Sequence, residues 1–419
     1  MKQFDVIVVG GGAAGLVAAG KAAEAGAKVI LLEKNSLLGK KLLITGKGRC
    51  NITNAGEIDE LIEAFGSKGS FLYSAFYTFS NLDTINFFKR LGLRTMTERG
   101  NRVFPESEQA KDVADALKDY VQRNKATISL ESPVEEILIN PQHQVIGVRL
   151  TSGQQVMGKK IIMAMGGASY PGTGSTGDGY KILSNLGHKI IPIKPALVPL
   201  ETEEKWVGDL QGLGLKNVEL SVVEKGKKTV QLFGEMLFTH FGISGPIVLT
   251  ISKDIARILE KTGKPVSVSI DLKPALSDEK LDLRIQRDFT KYAKKIIANS
   301  LGDLLPRTLI PIILMAAKLD GEKFVHQISR EERKLLVAAL KNLSLTVTKT
   351  RPLKEAIVTA GGVDLKEINP GTMESKKIQG LFVVGELLDI DGITGGFNLQ
   401  AAFSTGFIAG MNAANLQET

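Results

Sequence analysis

The tightest constraint on this chain lies between Asp5 and Glu33, which read as strand, glycine turn, helix, strand and acid. Residues 6–9 are a continuous apolar run, the pattern of a parallel strand buried on both faces. Gly10, Gly12 and Gly15 then spell G-x-G-x-x-G, with Gly11 as an extra glycine and Ala14 in the same turn. An Ala-rich helical stretch with Leu16 and Val17 runs to Gly26, which stands where a C-terminal cap belongs. Residues 28–32 form a second apolar strand that ends at Glu33. The first glycine permits a tight turn, the second lets a pyrophosphate approach the backbone, and the third lets the helix lie against the strand. The helix N-terminus faces the phosphate charge, and the acid accepts hydrogen bonds from ribose hydroxyls. Dinucleotide binding is therefore expected, in preference to a merely structural glycine turn.

A chain of 419 residues has room for two or three domains and a full core. Its 43% hydrophobic and 23% charged residues suit a soluble globular protein, and no apolar run is long enough to span a membrane. The formal charge of +8 would attract anions, yet the basic residues look dispersed, without an aromatic-interleaved stripe, so nucleic acid is not the expected partner. The single cysteine, Cys50, excludes an internal disulfide framework and any thiolate-rich zinc site, and no metal is expected. It also suits a cytoplasmic location.

Beyond Glu33 and Lys34, residues 39–51 form a basic loop punctuated by glycine and containing Lys41, Arg49, Cys50 and Asn51. Such a loop suits wrapping an anionic cofactor. Residues 59–65 and 81–91 look helical, and Ser107 is expected to open another helix. Three β runs, at 127–130, 134–139 and 145–150, suggest a meander, and residues 160–165 a strand running into Gly166 and Gly167. By analogy, a meander in this place marks many FAD-binding folds. Residues 172–177 spell a second G-x-G-x-x-G, but no strand ending in an acid follows at the right distance. They are better taken as a glycine loop leading into a helix at 178–186.

From about residue 191 the texture changes to prolines and short strands, with a helix expected from Ser244 as cap to about residue 259. Residues 278–340 read as mainly helical, with a capping box at Ser329 and Glu332. The expected division is a discontinuous dinucleotide-binding domain at 1–190 and 351–419. Residues 191–350 would be inserted, β-rich at 191–276 and 342–350 and helical at 277–341. The end of the chain returns to the opening pattern: a buried strand reaches Gly385 and Glu386, and Gly395, Gly396, Phe397 and Asn398 head an Ala-rich helix. Bare N–H groups there would suit the electron-rich pyrimidine edge of a reduced flavin.

The blocks at 10–15, 45–54, 170–179, 238–246 and 395–400 occur together in one order. With them the chain resembles the YhiN/BaiN-like bacterial flavoproteins, a family that includes aminoacetone oxidases. The stretch at 176–179 also looks like one in the fumarate reductase flavoproteins. The resemblance implies non-covalent FAD, a Rossmann-type α/β FAD-binding domain with β-meander, and an inserted α+β substrate domain of β-barrel and helical parts. It places Gly10, Gly12 and Gly15 at the pyrophosphate, Glu33 at the ribose and the Val134 backbone at the adenine. Lys41, Arg49, Cys50 and Asn51 would lie along the cofactor, while Gly385, Glu386, Gly396, Phe397 and Asn398 would approach the ribityl chain and ring. Both enone reduction and amine oxidation are described in the family.

One cysteine cannot form a redox disulfide, so that mechanism is excluded, and Cys50 is expected to pack against the cofactor. His240 is the candidate general acid or base, with a buried structural histidine as its alternative. The expected activity is reduction of a small unsaturated or carbonyl compound, with NAD(P)H as a transient donor in ping-pong kinetics. The alternatives are an oxidase of small amines and a flavin-bearing sensor or nucleic-acid-associated protein.

Overall fold

The computed structural model describes residues 3–415, and the chain divides into two compact units. The first is Met1–Ala196 with Leu353–Thr419 and the second is Leu197–Pro352.

The first unit is built on a seven-stranded sheet. β1 (Gln3–Val9) lies between β2 (Val29–Leu32) and strand Gln155–Met163, parallel to both. Residues 6–9 of β1 and all four residues of β2 are buried. That explains the lack of polar alternation, since helices cover both faces of such a sheet. Strand Leu381–Val383 returns from the far end of the chain and pairs in parallel with residues 161–163. Strand Thr127–Ser129 pairs in parallel with β2, so it is an edge of this sheet and not the first run of the expected meander. The meander is instead 134–139, 145–150 and the first half of strand Gln155–Met163. That strand starts before its apolar segment because residues 155–157 pair with 147–149 and residues 157–158 with Gln3 and Phe4.

Helix α1 (Ala13–Glu24) and the C-terminal helix Phe397–Ala414 cross on small residues. A Cβ on Gly406 would lie 2.3 Å from the Ala14 carbonyl oxygen, and one on Gly410 2.5 Å from that of Ala18. Only glycine lets two helix backbones approach so closely. Strand Ile190–Ala196 pairs antiparallel with Val358–Val363 and so belongs to this unit. The helix expected from Ser107 starts later, at Ala110, because Ser107 Oγ caps a turn by accepting the Gln109 N–H.

The second unit is a closed six-stranded barrel with a helical part. Its strands run in the order 200–202, 242–244, 227–239, 214–224, 266–271 and 343–350. Ser244 ends a barrel strand and does not cap the helix that follows. Gly245, at φ +96°, is the cap, and Pro246 occupies the first turn of helix Pro246–Thr262. The capping box at Ser329 forms as expected: its Oγ accepts the Glu332 N–H, and Glu332 accepts the Ser329 N–H. Among the described residues no helix is long and apolar enough to cross a membrane.

Candidate cofactor and active site

The glycine turn at the head of α1 is shaped by contact. Gly10, at φ +105°, lies against the Ala164 carbonyl, and a Cβ on Gly15 would fall 1.8 Å from the Gly10 carbonyl oxygen. Gly12 differs, because a Cβ there would meet nothing within 4 Å. It is also the N-cap of α1, and, having no side chain, makes no side-chain cap to that helix. Free N–H groups and the positive helix pole therefore face open space, as a pyrophosphate requires.

Glu33 is buried at the end of β2. One carboxylate oxygen accepts the Gly11 N–H at 2.7 Å, and the other accepts the backbone and side-chain N–H groups of Asn35 at 2.8 and 2.6 Å. A carboxylate has about four acceptor positions, so Glu33 retains capacity for a ribose hydroxyl. The segment leading to Val134 passes the same place, with the Ser132 N–H donating to the Glu33 carbonyl. Lys34 is held by Thr176 Oγ1 at 2.6 Å and Asp178 at 2.8 Å. Its charge is committed to fixing the second glycine loop. That loop is further tied by Asn35 to the Thr173 carbonyl, and Gly166 packs on Ser175.

A second cluster joins three distant parts of the unit. Lys41 Nζ donates to Ser169 Oγ and to Glu386, both at 2.7 Å. The other Glu386 oxygen accepts from Ser169 Oγ at 3.0 Å and the Thr359 N–H at 2.8 Å. Burial would raise the Glu386 carboxyl, but Lys41 and these donors more than offset it and hold it below the usual carboxylate range. Beside it Gly385, at φ +65°, brings a Cβ position within 3.1 Å of Ala14 Cβ. The two ends of the chain meet here at the first turn of α1.

The C-terminal helix begins at Gly396, whose φ of +99° and tight contact with the Thr53 backbone admit only glycine. The Gly395 carbonyl accepts Asn54 Nδ2, and Asn398 closes the preceding loop by exchanging hydrogen bonds with the backbone of Gly392. The Asn398 side chain is thus a loop lock. Lys68 braces the same loop by pairing with Asp389 at 2.6 Å and Asp391 at 3.0 Å. Phe397 lines a cleft of about 430 Å³ together with Asn54, Glu60, Glu63, Asn101 and Ile393.

The basic loop is more committed than its composition suggests. The Arg49 guanidinium is shared between Glu98 and Glu108 and stacks over Phe104 at 4.2 Å. Cys50 is fully buried at φ +59°, and burial pushes its thiol up to about 12, only partly offset by a hydrogen bond with Thr45. It is a neutral packing group, not a poised thiolate. Asn51 Oδ1 and Arg49 Nε are buried without a hydrogen-bond partner among the described residues, as groups awaiting a ligand would be. His240 lies in the second unit, exposed in the turn between strands 227–239 and 242–244, with its ring 4.9 Å from that of Phe241. It is therefore not the buried structural histidine of the alternative reading. Ser169, Thr359 and Lys68 had no local sequence signal for these contacts, because their partners lie far along the chain.

Together the open glycine cradle, the buried acid and the orphaned polar atoms fit a dinucleotide cofactor. The unit as a whole is a Rossmann-type flavoprotein fold. The model of the HI0933-like protein Rossmann domain matches residues 4–412, and the chain belongs to that family of FAD-dependent oxidoreductases. It is 33% identical over 412 residues to the 3-dehydro-bile acid delta(4,6)-reductase of Clostridium scindens, covering 97% of this chain and 98% of that one. It is 30% identical over 406 residues to the ribosomal RNA dihydrouridine synthase of Escherichia coli, covering 97% and 96%. The protein of the same name from Haemophilus influenzae is 31% identical over 419 residues, covering 98% and 99%. Among solved structures, 3-ketosteroid delta1-dehydrogenase from Sterolibacterium denitrificans superposes with a TM-score of 0.57 at 13% identity, covering all of both chains. A flavocytochrome c3 fumarate reductase gives 0.55 at 17% identity, covering 99% of this chain and 78% of the other. These two share the fold.

Proposed function

We propose that this chain reduces a carbon–carbon double bond conjugated to a ring carbonyl, using NAD(P)H as electron donor and FAD as carrier. The observation that supports this is a bond change common to differently named full-length relatives. One name specifies reduction of double bonds at positions 4 and 6 of a 3-dehydro bile acid; the other specifies a dihydro form of the uridine ring. Either reduction would add a hydride to the carbon at the far end of the conjugated system, β or δ to the carbonyl, move the π electrons to the carbonyl oxygen, and return a proton to the neighbouring carbon. Bound flavin would supply the hydride, leaving the protein to orient, shield and protonate.

The chain has residues for those tasks. The uncapped N-terminus of helix Phe397–Ala414 offers N–H groups that favour negative charge. Exposed His240 is the side chain to which we assign the proton. The glycine loop at 172–177 is tied to residues 34 and 35 and serves the first nucleotide site, so NAD(P)H would use the flavin face and leave before the acceptor binds. Such chemistry suits the cytoplasm, where NAD(P)H is supplied.

The test is anaerobic stopped-flow mixing of the FAD-loaded protein with NADH, NADPH and a panel of small amines, followed by cyclic enones. Bleaching by a nicotinamide, re-oxidation by an enone and parallel-line kinetics are expected. Bleaching by an amine and not by NADPH would replace this reading with an amine oxidase. His240→Gln should slow enone turnover by about 10²–10⁴-fold without slowing flavin reduction.

A further inference from the structure

The helical part of the second unit carries a surface that the proposed chemistry does not use. Helix Asp278–Lys291 runs into Tyr292, and the residues after it fold back against 321–326. The Val325 N–H donates to the Lys295 carbonyl at 3.0 Å, and the Ile297 N–H to the Lys323 carbonyl at 2.9 Å. His326 Nδ1 lies 3.2 Å from the Ala293 carbonyl. Two segments some thirty residues apart thereby become one face.

On that face the ammonium groups of Lys291 and Lys295 sit 4.8 and 4.5 Å from the Tyr292 ring centre. Phe324 is 44% exposed, and its ring lies 5.7 Å from that of His326 at 31°. Acids occupy part of the charge: Asp303 holds Lys291 and the Tyr292 hydroxyl, each at 2.7 Å, and Glu332 holds Lys323 at 2.7 Å. Exposed Lys294 and Lys295 have no carboxylate partner among the described residues. An exposed ring on the same face as ammonium groups without carboxylate partners matches single-stranded nucleic acid, whose bases stack and whose phosphates need cations. Residues 197–352 hold 25 Lys and Arg against 19 Asp and Glu, so this unit carries +6 of the chain's +8.

We propose that this face docks RNA, with Lys294 and Lys295 on phosphates and Phe324 with His326 against an unstacked base. The proposal deepens the enone-reductase reading, because the uracil ring in RNA is one of the rings that reading admits. The basic stripe missing from the linear sequence is assembled by folding.

The test uses FAD-loaded full chain and fluorescein-labelled 20-nucleotide single-stranded RNA, followed by anisotropy between about 50 and 200 mM KCl. K294E/K295E should weaken binding at least tenfold and lower the salt slope by about 1.4, the value for two phosphate contacts on a single strand. Phe324→Ala should weaken binding about tenfold with the slope unchanged. K225E/K227E, with the same charge change at the exposed tip of the hairpin formed by strands 214–224 and 227–239, should stay within threefold of wild type. Circular dichroism and flavin absorbance confirm that each variant is folded. The face is refuted by wild type that binds no RNA, by a control that weakens binding equally, or by equal affinity for duplex DNA. Enone reduction is measured alongside. Protein that binds RNA here but reduces no enone overturns the reductase reading alone; protein that reduces enones but binds no RNA overturns the face alone.

Discussion

Gly12 and Gly15 belong to one motif, yet the structure gives them separable duties, and two alanine variants distinguish them. A methyl on Gly12 meets no protein atom within 4 Å, and its φ of −86° is open to any residue. Folding should lose only the difference between glycine and alanine at an N-cap, about 0.5–1 kcal/mol. The methyl would instead occupy the space in front of the helix N-terminus and keep a pyrophosphate off the N–H groups. Losing two hydrogen bonds to a charged ligand, at about 1.5–3 kcal/mol each, removes about 3–6 kcal/mol of binding. At about 1.4 kcal/mol per decade, Gly12→Ala should raise the FAD Kd by about 10²–10⁴-fold. A Cβ on Gly15 would sit 1.8 Å from the Gly10 carbonyl oxygen, whereas real Cβ contacts stay beyond 3.0 Å, so the helix must move by more than an ångström. Overpacking of that kind costs about 1–3 kcal/mol or more, so Gly15→Ala should melt early even without FAD. Thermal melts of the apo-proteins, and FAD titrations followed by flavin fluorescence, give both quantities. The argument fails if Gly12→Ala binds FAD within threefold of wild type, or if its apo form melts as low as that of Gly15→Ala.

Lys41→Met strands the Glu386 carboxylate in a partly buried site, and urea titration should show a loss of about 2–4 kcal/mol; an unchanged midpoint would mean that the ion pair is dispensable. His188 is buried between Glu367 at 2.9 Å and Ser375 Oγ at 3.0 Å, and burial holds its imidazole below the ordinary value despite the attraction of Glu367. The unfolded chain therefore takes up a proton first, and stability should fall as pH drops below about 6.5, by at most about 1.4 kcal/mol per pH unit for this group. The depressed Glu367 carboxyl acts in the same direction at lower pH, below about 4.5. His188→Gln should flatten the slope just below about pH 6.5, and parallel stability curves for variant and wild type would refute the assignment. Cys50, buried and pushed up to about 12, should resist iodoacetamide at pH 8 in the native protein and react in urea; rapid native alkylation would contradict its burial.

What could be read from the sequence was what repeats over short distances. The β1–α1–β2 unit, the capping box at Ser329 and the Gly385 and Gly395–Gly396 turns each declare themselves within a few residues. Residues 127–129 read as part of the meander but pair in parallel with β2, because three residues carry no sign of which neighbour they will join. Ser244 looked like a helix cap by residue type, but Gly245 takes the position because its backbone lies at φ +96° against Met236. The largest gaps concern charge. Arg49 and Lys34 look like phosphate ligands in a list of residues, and only the fold reveals that Glu98, Glu108 and Asp178 hold them. The Lys41–Ser169–Glu386 cluster spans most of the chain, and no spacing rule connects its members.

The close crossing of α1 with the C-terminal helix also sets the order of events during synthesis. Nearly every residue from Ala14 to Ala22 is buried in the finished protein, but the glycines that cover them, Gly406 and Gly410, are translated about 390 residues later. At about 5–20 residues per second, the glycine turn waits some 20–80 s with its apolar helix face bare. The first turn of α1 therefore reaches its final packing only once residues 385–410 have been made, and until then its apolar face needs shelter.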